Sequence, residues 1–358
     1  MTIEAFLSAI SRGSARLPYE LKDRLVIGLA SSALFDLRES DAIFRDQGEA
    51  AYREYQEAKL DEPLQPGVAF SFIKRILSLN DLSLIGEEKL TEVIILSRND
   101  PDTGLRVMKS LQNHGLDITR AIFMEGKSPY KFIPALNISL FLSANDKDVR
   151  EALGLGFPAG RVLESAVVDD EDDLDLRIAF DFDGVLADDE SEQVMQSSGL
   201  EEFHRFEQAN SITPHHPGPL KDFLVRVAAI QRHEQDLKKA DSNYRTRLHV
   251  ALVTARNAPS HERPIATLKK WGVMVNDAFF LGGIAKDRIL EVLRPHIFFD
   301  DQVTHLLATS KYAPSVHIPF GKLNAEALAG DAVVTDRVAT GVVIEYDGQE
   351  VPLAGQAS

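Results

Sequence analysis

The chain has 358 residues, 44% of them hydrophobic, which is enough for two domains with separate cores. It carries 39 Lys and Arg against 55 Asp and Glu, a formal charge of −16, so it is a poor candidate for wrapping nucleic acid or docking on anionic lipid. It has no cysteine, which excludes disulfides, a thiolate zinc site and thiol chemistry.

Residues 1–24 read as an amphipathic helix followed by a loop. No basic n-region precedes an apolar core there, and no apolar run reaches the roughly 18 residues of a membrane span, so the expectation is a cytoplasmic protein without signal peptide or membrane segment. Residues 25–30 (LVIGLA) are a short buried strand. Residues 39–60 and 68–79 are helix candidates, with Pro63 and Pro66 between them. A strand over 92–96 (EVIIL) precedes a helix over 103–114, closed by Gly115. Short strands follow at 122–124 and 139–142. Strands alternating with helices imply a parallel sheet with crossover helices.

Residues 154–160 (GLGFPAG) and the six acids of 169–175 (DDEDDLD) read as a solvated linker. The order then repeats. A strand over 177–180 ends at Asp181. Residues 188–209 are helical, 211–219 (SITPHHPGP) form a loop, and 220–239 are a long helix. Strands over 249–253, 278–281 and 296–299 alternate with helices over 263–271 and 287–293. A last strand is expected over 315–319. Residues 322–358 are weakly patterned, with an edge hairpin suggested around 342–348.

The halves are similar in residues as well as order. IGLASSALFDLRES (27–40) lies over IAFDFDGVLADDES (178–191), VIILSRN (93–99) over VALVTARN (250–257) with one shift, and AIFMEG (121–126) over AFFLGG (278–283). An internal duplication follows as an expectation. Its first copy lacks the acids: Ala30 and Ser32 stand where the second has Asp181 and Asp183, Leu96 where it has Thr254, and roughly Ser143 and Ala144 where it has Asp300 and Asp301. The first copy is therefore expected to be structural, regulatory or substrate-binding.

The chemistry gathers in the second copy. Asp181 and Asp183 end an apolar strand two residues apart, so they can start on one face, and Gly184 lets the chain turn. Two carboxylates at a buried strand end repel each other unless a cation, proton or substrate intervenes. An EF-hand is excluded, because its sixth position needs glycine and here holds Leu186. Thr254 ends the strand HVALV and offers a hydroxyl beside the amides of a following helix, a donor set for phosphate oxygens. Lys286 (GGIAKD) can neutralise phosphoryl charge. Asp300 and Asp301 end another strand and supply hard oxygen ligands. All four signals fall at carboxyl ends of strands, where open α/β sheets bind ligands.

This D-x-D-G, Thr, Lys, DD order resembles the haloacid dehalogenase superfamily of phosphohydrolases. The resemblance implies Mg²⁺ held by Asp181, the backbone carbonyl of Asp183, and the 300–301 pair. It also implies Asp181 as nucleophile, Asp183 as acid and base, and Thr254 and Lys286 as stabilisers of transferred charge. The 71-residue interval from Asp183 to Thr254 leaves room for a helical cap. Phe203 and Phe206 on that insert are candidates for stacking on a base, or else its small core. His215 and His216 are candidates for binding a metal, but adjacent histidines in a proline-rich loop are expected to be solvated.

VIGLASSALFDL and IF-x-x-x-G-x-x-AY-x-x-Y (27–55), LVTARNAPS (252–260), LKKWG (268–272), FFLGGIAK (279–286) and RPHIFFDDQ (294–302) resemble the cytosolic type I 5'-nucleotidases over about residues 25–321. That resemblance implies hydrolysis of nucleoside monophosphates, notably AMP, with Thr254, Arg256, Lys286, Phe203 and Phe206 toward the substrate. Animal members carry Gly between the aspartates and Ala after the second; this chain has Phe182 and Gly184, a departure that bears on substrate preference. The expected architecture is α/β. It comprises a degenerate lobe over 1–168, a Rossmann-like catalytic domain of the haloacid dehalogenase type over 169–321 with a cap at about 188–247, and an extension over 322–358. The expected partner is a small nucleotide, with neither nucleic acid nor membrane; a homo-oligomer is compatible. Two other readings are a phosphatase for sugar phosphates or other small monoesters, and a nucleotide-sensing protein with vestigial catalysis.

Overall fold

The computed structural model describes residues 19–83, 88–170, 172–322 and 324. Most of the helix expected over 1–24 and the hairpin near 342–348 lie outside them. The first half contains β1 (Leu25–Leu29), α1 (Ser31–Leu34), α2 (Arg38–Ala58), α3 (Phe70–Ser78), β2 (Thr91–Ser97), α4 (Pro101–Asn113), β3 (Arg120–Phe123), β4 (Leu140–Ser143), α5 (Asp146–Gly154) and β5 (Ala159–Val162). The second contains β6 (Leu176–Phe180), α6 (Glu190–Ala209), α7 (Lys221–Ala240), β7 (Leu248–Thr254), α8 (Glu262–Lys270), β8 (Asp277–Phe280), α9 (Lys286–Leu293), β9 (Ile297–Asp300), α10 (Val303–Thr309) and β10 (Ser315–His317).

The strands form one sheet in the order β3-β2-β1-β4-β5-β10-β9-β6-β7-β8. Every pairing is parallel except the central one, β5 with β10. The fold is therefore α/β with a mostly parallel sheet. Every residue of β1, β2 and β4 is buried, as the near-continuous apolar runs of two-sided parallel strands require. No described helix is long and apolar enough to cross a membrane.

Read outward from the centre, the two halves have the same strand order. Their registers match as well: Ile27 pairs with Val93 and Leu140, and Ile178 with Val250 and Ile297. The first excursion from each sheet half repeats too. Helix α2 breaks at Gly48 (φ 85°) and α6 at Gly199 (φ 78°), 199 − 48 = 151 residues apart, the same offset as Ile27 and Ile178. A short bridge closes each excursion, Phe35 with Pro66 and Ala187 with Pro217. Residues 63–67 (PLQPG) thus lie over 214–218 (PHHPG). The registers correct one expected equivalence: Leu29 pairs with Ile95 and Phe180 with Leu252, so Thr254 corresponds to Ser97, not Leu96.

Because the central pair is antiparallel, the carboxyl ends of the two halves face opposite edges of the sheet. One buried cluster nonetheless spans both, running from Ile27 and Leu142 through Val162 and Val316 to Phe299 and Ile178. The stretch 154–160, expected as linker, enters β5, because Ala159 and Gly160 are buried where the halves meet. The acidic run is solvated only in part: Asp170 and Asp172 are exposed, whereas Asp169 pairs with Arg75 at 2.9 Å, Asp173 with Arg177 at 2.7 Å and Asp175 with Arg245 at 2.8 Å. Neighbouring cations from both halves offset its self-repulsion.

Gly160 marks the junction. A Cβ there would lie 2.4 Å from Val316 Cγ1 and 2.8 Å from Ile318 Cδ1. Gly160→Val is expected to lower stability by about 1–3 kcal/mol through overpacking, read from chemical denaturation. An unchanged midpoint would show that the halves are not packed together at β5 and β10.

Candidate active site

Strands β6, β7, β8 and β9 run parallel, so the residues that follow them share one edge. Asp181 follows β6, Thr254 ends β7, Lys286 begins α9 after β8, and Asp300 ends β9. Asp181, Thr254, Lys286, Asp300 and Asp301 are all buried, while Asp183 is partly exposed. Nζ of Lys286 donates to Asp181 Oδ2 at 2.8 Å and to Asp300 Oδ2 at 2.7 Å. The amide of Gln302 donates to Asp300 Oδ1 at 2.8 Å, and His305 Nδ1 lies 3.3 Å from Asp300 Oδ2. Both oxygens of Asp300 are thus engaged. By contrast, Asp181 Oδ1 and Asp301 Oδ1 are buried without a hydrogen bond.

Those free oxygens test the expected cation. One oxygen each from Asp181, Asp300 and Asp301 lies within 4.8 Å of the others, an all-oxygen set that suits a hard divalent ion. The carboxylate of Asp183 stands apart from this group, because both its oxygens accept from Arg256, at 2.7 and 2.6 Å. Gly184 allows the close approach: at φ 70° its Cβ would lie 2.5 Å from Asp301 Oδ2.

The electrostatics match that arrangement. Burial, together with the charges of Asp300 and Asp183, pushes Asp181 up to about 6 against the pull of Lys286. Burial works against ionisation of Asp300, but Lys286 and His305 hold it below the usual range. Among the described residues Asp301 makes no ion pair; burial and the charges of Asp181 and Asp300 push it up to about 9 against the pull of Lys286. A folded pKa raised this far means that the metal-free fold keeps a proton near neutrality. Its stabilising share, present at low pH, is lost as pH rises through about 9. Cation binding at Asp301 must expel that proton. Divalent-cation affinity at this edge is therefore expected to rise with pH up to about 9, with close to one proton released at pH 7. Titration calorimetry in buffers of different ionisation enthalpy measures this, and an enthalpy independent of buffer would contradict it.

Sequence reasoning missed a second tier. Glu207 of α6 is buried and accepts from Arg256, from Arg263 Nη1 at 2.9 Å and from Ser191 at 2.7 Å. Burial opposes its charge, yet His215 and Arg256 hold it down at about 2. Arg256, expected on the substrate, here bridges Asp183 and Glu207. Its guanidinium lies 5.3 Å from the ring centre of Phe182 and 5.2 Å from that of Phe203. Phe203 is buried, whereas Phe206 is half-buried under Arg263. The spacing of Phe203 and Glu207, four residues apart on one helix face, was the available signal. Another expectation fails at Thr254: α8 begins only at Glu262, so the amides next to the hydroxyl belong to a loop. His215 is likewise buried rather than solvated, with Phe182 edge-on to its ring at 5.1 Å; His216 is exposed.

The 5'-nucleotidase family profile matches residues 17–325. The chain belongs to the 5'-nucleotidase family. Cytosolic 5'-nucleotidase 1B of Homo sapiens is 32% identical over 310 residues, which are 85% of this chain and 50% of that protein. The chain therefore spans about half the length of the curated relative it matches. The matched region of this 5'-nucleotidase family member contains both sheet halves and the whole acidic edge.

Proposed function

We propose that the protein is a Mg²⁺-dependent 5'-nucleotidase of the cytoplasm that hydrolyses AMP-like nucleoside 5'-monophosphates through an aspartyl-phosphate on Asp181. The observation that carries this reading is the meeting of Asp181, Lys286, Asp300 and Asp301 at one strand edge in a chain of this family. The proposed division has a degenerate lobe over 1–168, a catalytic domain of the haloacid dehalogenase type over 169–321 with its cap at about 188–247, and an extension over 322–358. The opposed sheet edges support it, since the first lobe's own carboxyl edge faces away from the acids.

Asp181 and Asp301, each with a free buried oxygen, and the backbone carbonyl of Asp183 would hold Mg²⁺. When bound, the ion screens the carboxylates from the phosphate dianion and polarises the phosphoryl group. Asp300, with both oxygens occupied, orients Lys286. Asp181 forms the new bond to phosphorus as the bond to the ribose oxygen breaks, and Asp183 gives that oxygen its proton. Asp183 then takes a proton from water as the water oxygen attacks phosphorus, which releases phosphate and restores Asp181. Lys286 and the Thr254 hydroxyl stabilise the charge spreading over the phosphoryl oxygens. Arg256 must let go of Asp183 for either proton transfer, and its second partner, Glu207 of α6, retains the guanidinium. Half-buried Phe206 is better placed for a base than buried Phe203.

Phosphate release from AMP, IMP, CMP and glucose-6-phosphate tests the reading. The nucleotides should be preferred, EDTA should silence the protein, and Mg²⁺ should restore it. A preference for the sugar phosphate would favour the general phosphatase. Tight AMP binding with no phosphate released at saturating Mg²⁺ would favour a sensor.

A further inference from the structure

We propose a second cation site, separate from the acidic edge, built from Asp188, Glu190 and His215 and suited to a divalent transition ion such as Zn²⁺. One ligand atom from each of the three lies within 4.8 Å of the others. His215 is 2% exposed; its Nδ1 makes no hydrogen bond and its Nε2 has only the Glu207 carboxylate, at 3.4 Å, while buried Asp188 Oδ1 makes none. Polar atoms in that position are stabilised by a partner they can coordinate.

The position of the cluster gives the site a role. Asp188 and His215 lie on the two irregular segments that flank α6. Those segments are joined by the Ala187–Pro217 bridge, by the amide of Asp188 donating to His216 O at 3.0 Å, and by that of Gly218 donating to Leu186 O at 2.8 Å. Glu190 begins α6. An ion here takes one ligand from the segment before α6, one from the helix and one from the segment after it, and so clasps the base of this excursion.

The ligand chemistry selects the ion. An imidazole with two carboxylates suits Zn²⁺ and its neighbours, whereas Mg²⁺ prefers oxygen alone. Glu207 Oε2 lies 3.4 Å from His215 Nε2, the carboxylate-behind-imidazole arrangement that orients metal-binding histidines. The local charge also favours a cation. Among the described residues, the ion pairs of Asp183, Glu190 and Glu207 with Arg or Lys are with the guanidiniums of Arg256 and Arg263, the latter 3.4 Å from Glu190 Oε2, and Asp188 has none. A divalent ion makes the group neutral.

The repeat within the chain supplies an internal control. The corresponding positions in the first half are Leu37, Glu39 and Leu64, and Arg106 donates to Gln56 at 3.1 Å where Arg263 donates to Glu207. Leu64 is buried, 6% exposed, with no polar atom to satisfy. The same backbone frame thus closes with apolar side chains in one copy and with an imidazole and a carboxylate in the other. Packing alone does not call for the polar set.

The test is Zn²⁺ content per chain after gel filtration in millimolar Mg²⁺, which occupies the acidic edge. The full chain is compared with His215→Leu, which copies Leu64, with Asp188→Asn, and with Asp301→Asn as the control for the other site. Close to one equivalent is expected in the parent and in Asp301→Asn, with at least a tenfold loss of affinity in the other two. Zn²⁺ should raise the melting temperature of the parent and of Asp301→Asn only. Parent protein that retains no Zn²⁺, retention unchanged in both His215→Leu and Asp188→Asn, or loss confined to Asp301→Asn overturns the proposal. Asp188→Asn is nearly isosteric and decides the matter if His215→Leu fails to fold.

Discussion

Asp181→Asn is expected to reduce AMP hydrolysis at least about a hundredfold while the chain stays folded. An amide has the shape of the carboxylate but cannot form the acyl phosphate. It also cannot offer the free buried oxygen that Asp181 presents beside Asp301. The fold should tolerate the change, since Lys286 keeps its bond to Asp300 at 2.7 Å. A further consequence follows from the raised pKa of Asp181. A group raised from 3.8 to about 6 stabilises the metal-free fold at low pH, and that share is lost as pH rises through about 6. The Asn variant lacks this loss. In EDTA its melting temperature should therefore gain on the parent between pH 4 and about 6 and then hold the gain. Residual turnover above about a hundredth of the parent would count against Asp181 as nucleophile.

Lys286→Met is expected to damage both activity and stability. Lys286 is 5% exposed, and its ammonium lies between two buried carboxylates. Without it, turnover should fall about 10²–10³-fold, the usual result of deleting a preorganised donor to transferred charge. Breaking a buried ion pair while leaving its anions in place costs about 3–5 kcal/mol. The loss should depend on pH. Asp181 and Asp300 press the ammonium above its ordinary pKa against the effect of burial, so the lysine stays charged at pH 5–8 and its own titration plays no part there. In the variant the two carboxylates lose their cation and their pKa values rise. Destabilisation should then be small at pH 5, where they can take protons, and largest at pH 8. Urea denaturation in EDTA at both pH values measures this. Equal losses at both would show that Lys286 acts by packing.

The strands and their carboxyl ends were legible in the chain because period and punctuation are local. LVIGLA, EVIIL, HVALV and HIFF all became strands, each displaced by a residue or two. The doublets at 181–183 and 300–301 stood out because acids at the end of an apolar run are costly without a purpose. Other features were hidden. Ala159 and Gly160 looked like linker, since Gly and Pro dominate GLGFPAG, and only their pairing with β4 and β10 makes them the centre of the sheet. Glu207 sat in a helix full of charges, with nothing local to mark it as the buried one. Leu96 was set opposite Thr254 because a gapped alignment leaves a one-residue choice, which hydrogen-bond register removes.

By itself the amino-acid order determined an α/β chain, a repeated unit, and an acidic second copy carrying Asp181, Asp183, Thr254, Lys286, Asp300 and Asp301. Each of these is a short-range property of composition, spacing and turn chemistry. Only the tertiary structure decided that the two copies point their carboxyl edges in opposite directions. It alone assigned Asp300 to Lys286 and left Asp301 with a free oxygen, and it alone set Arg256 between Asp183 and Glu207, residues 73 and 49 positions away. Desolvation is the reason. Once these groups are buried, each charge must settle on a particular partner, and which partner lies within reach depends on how distant elements pack.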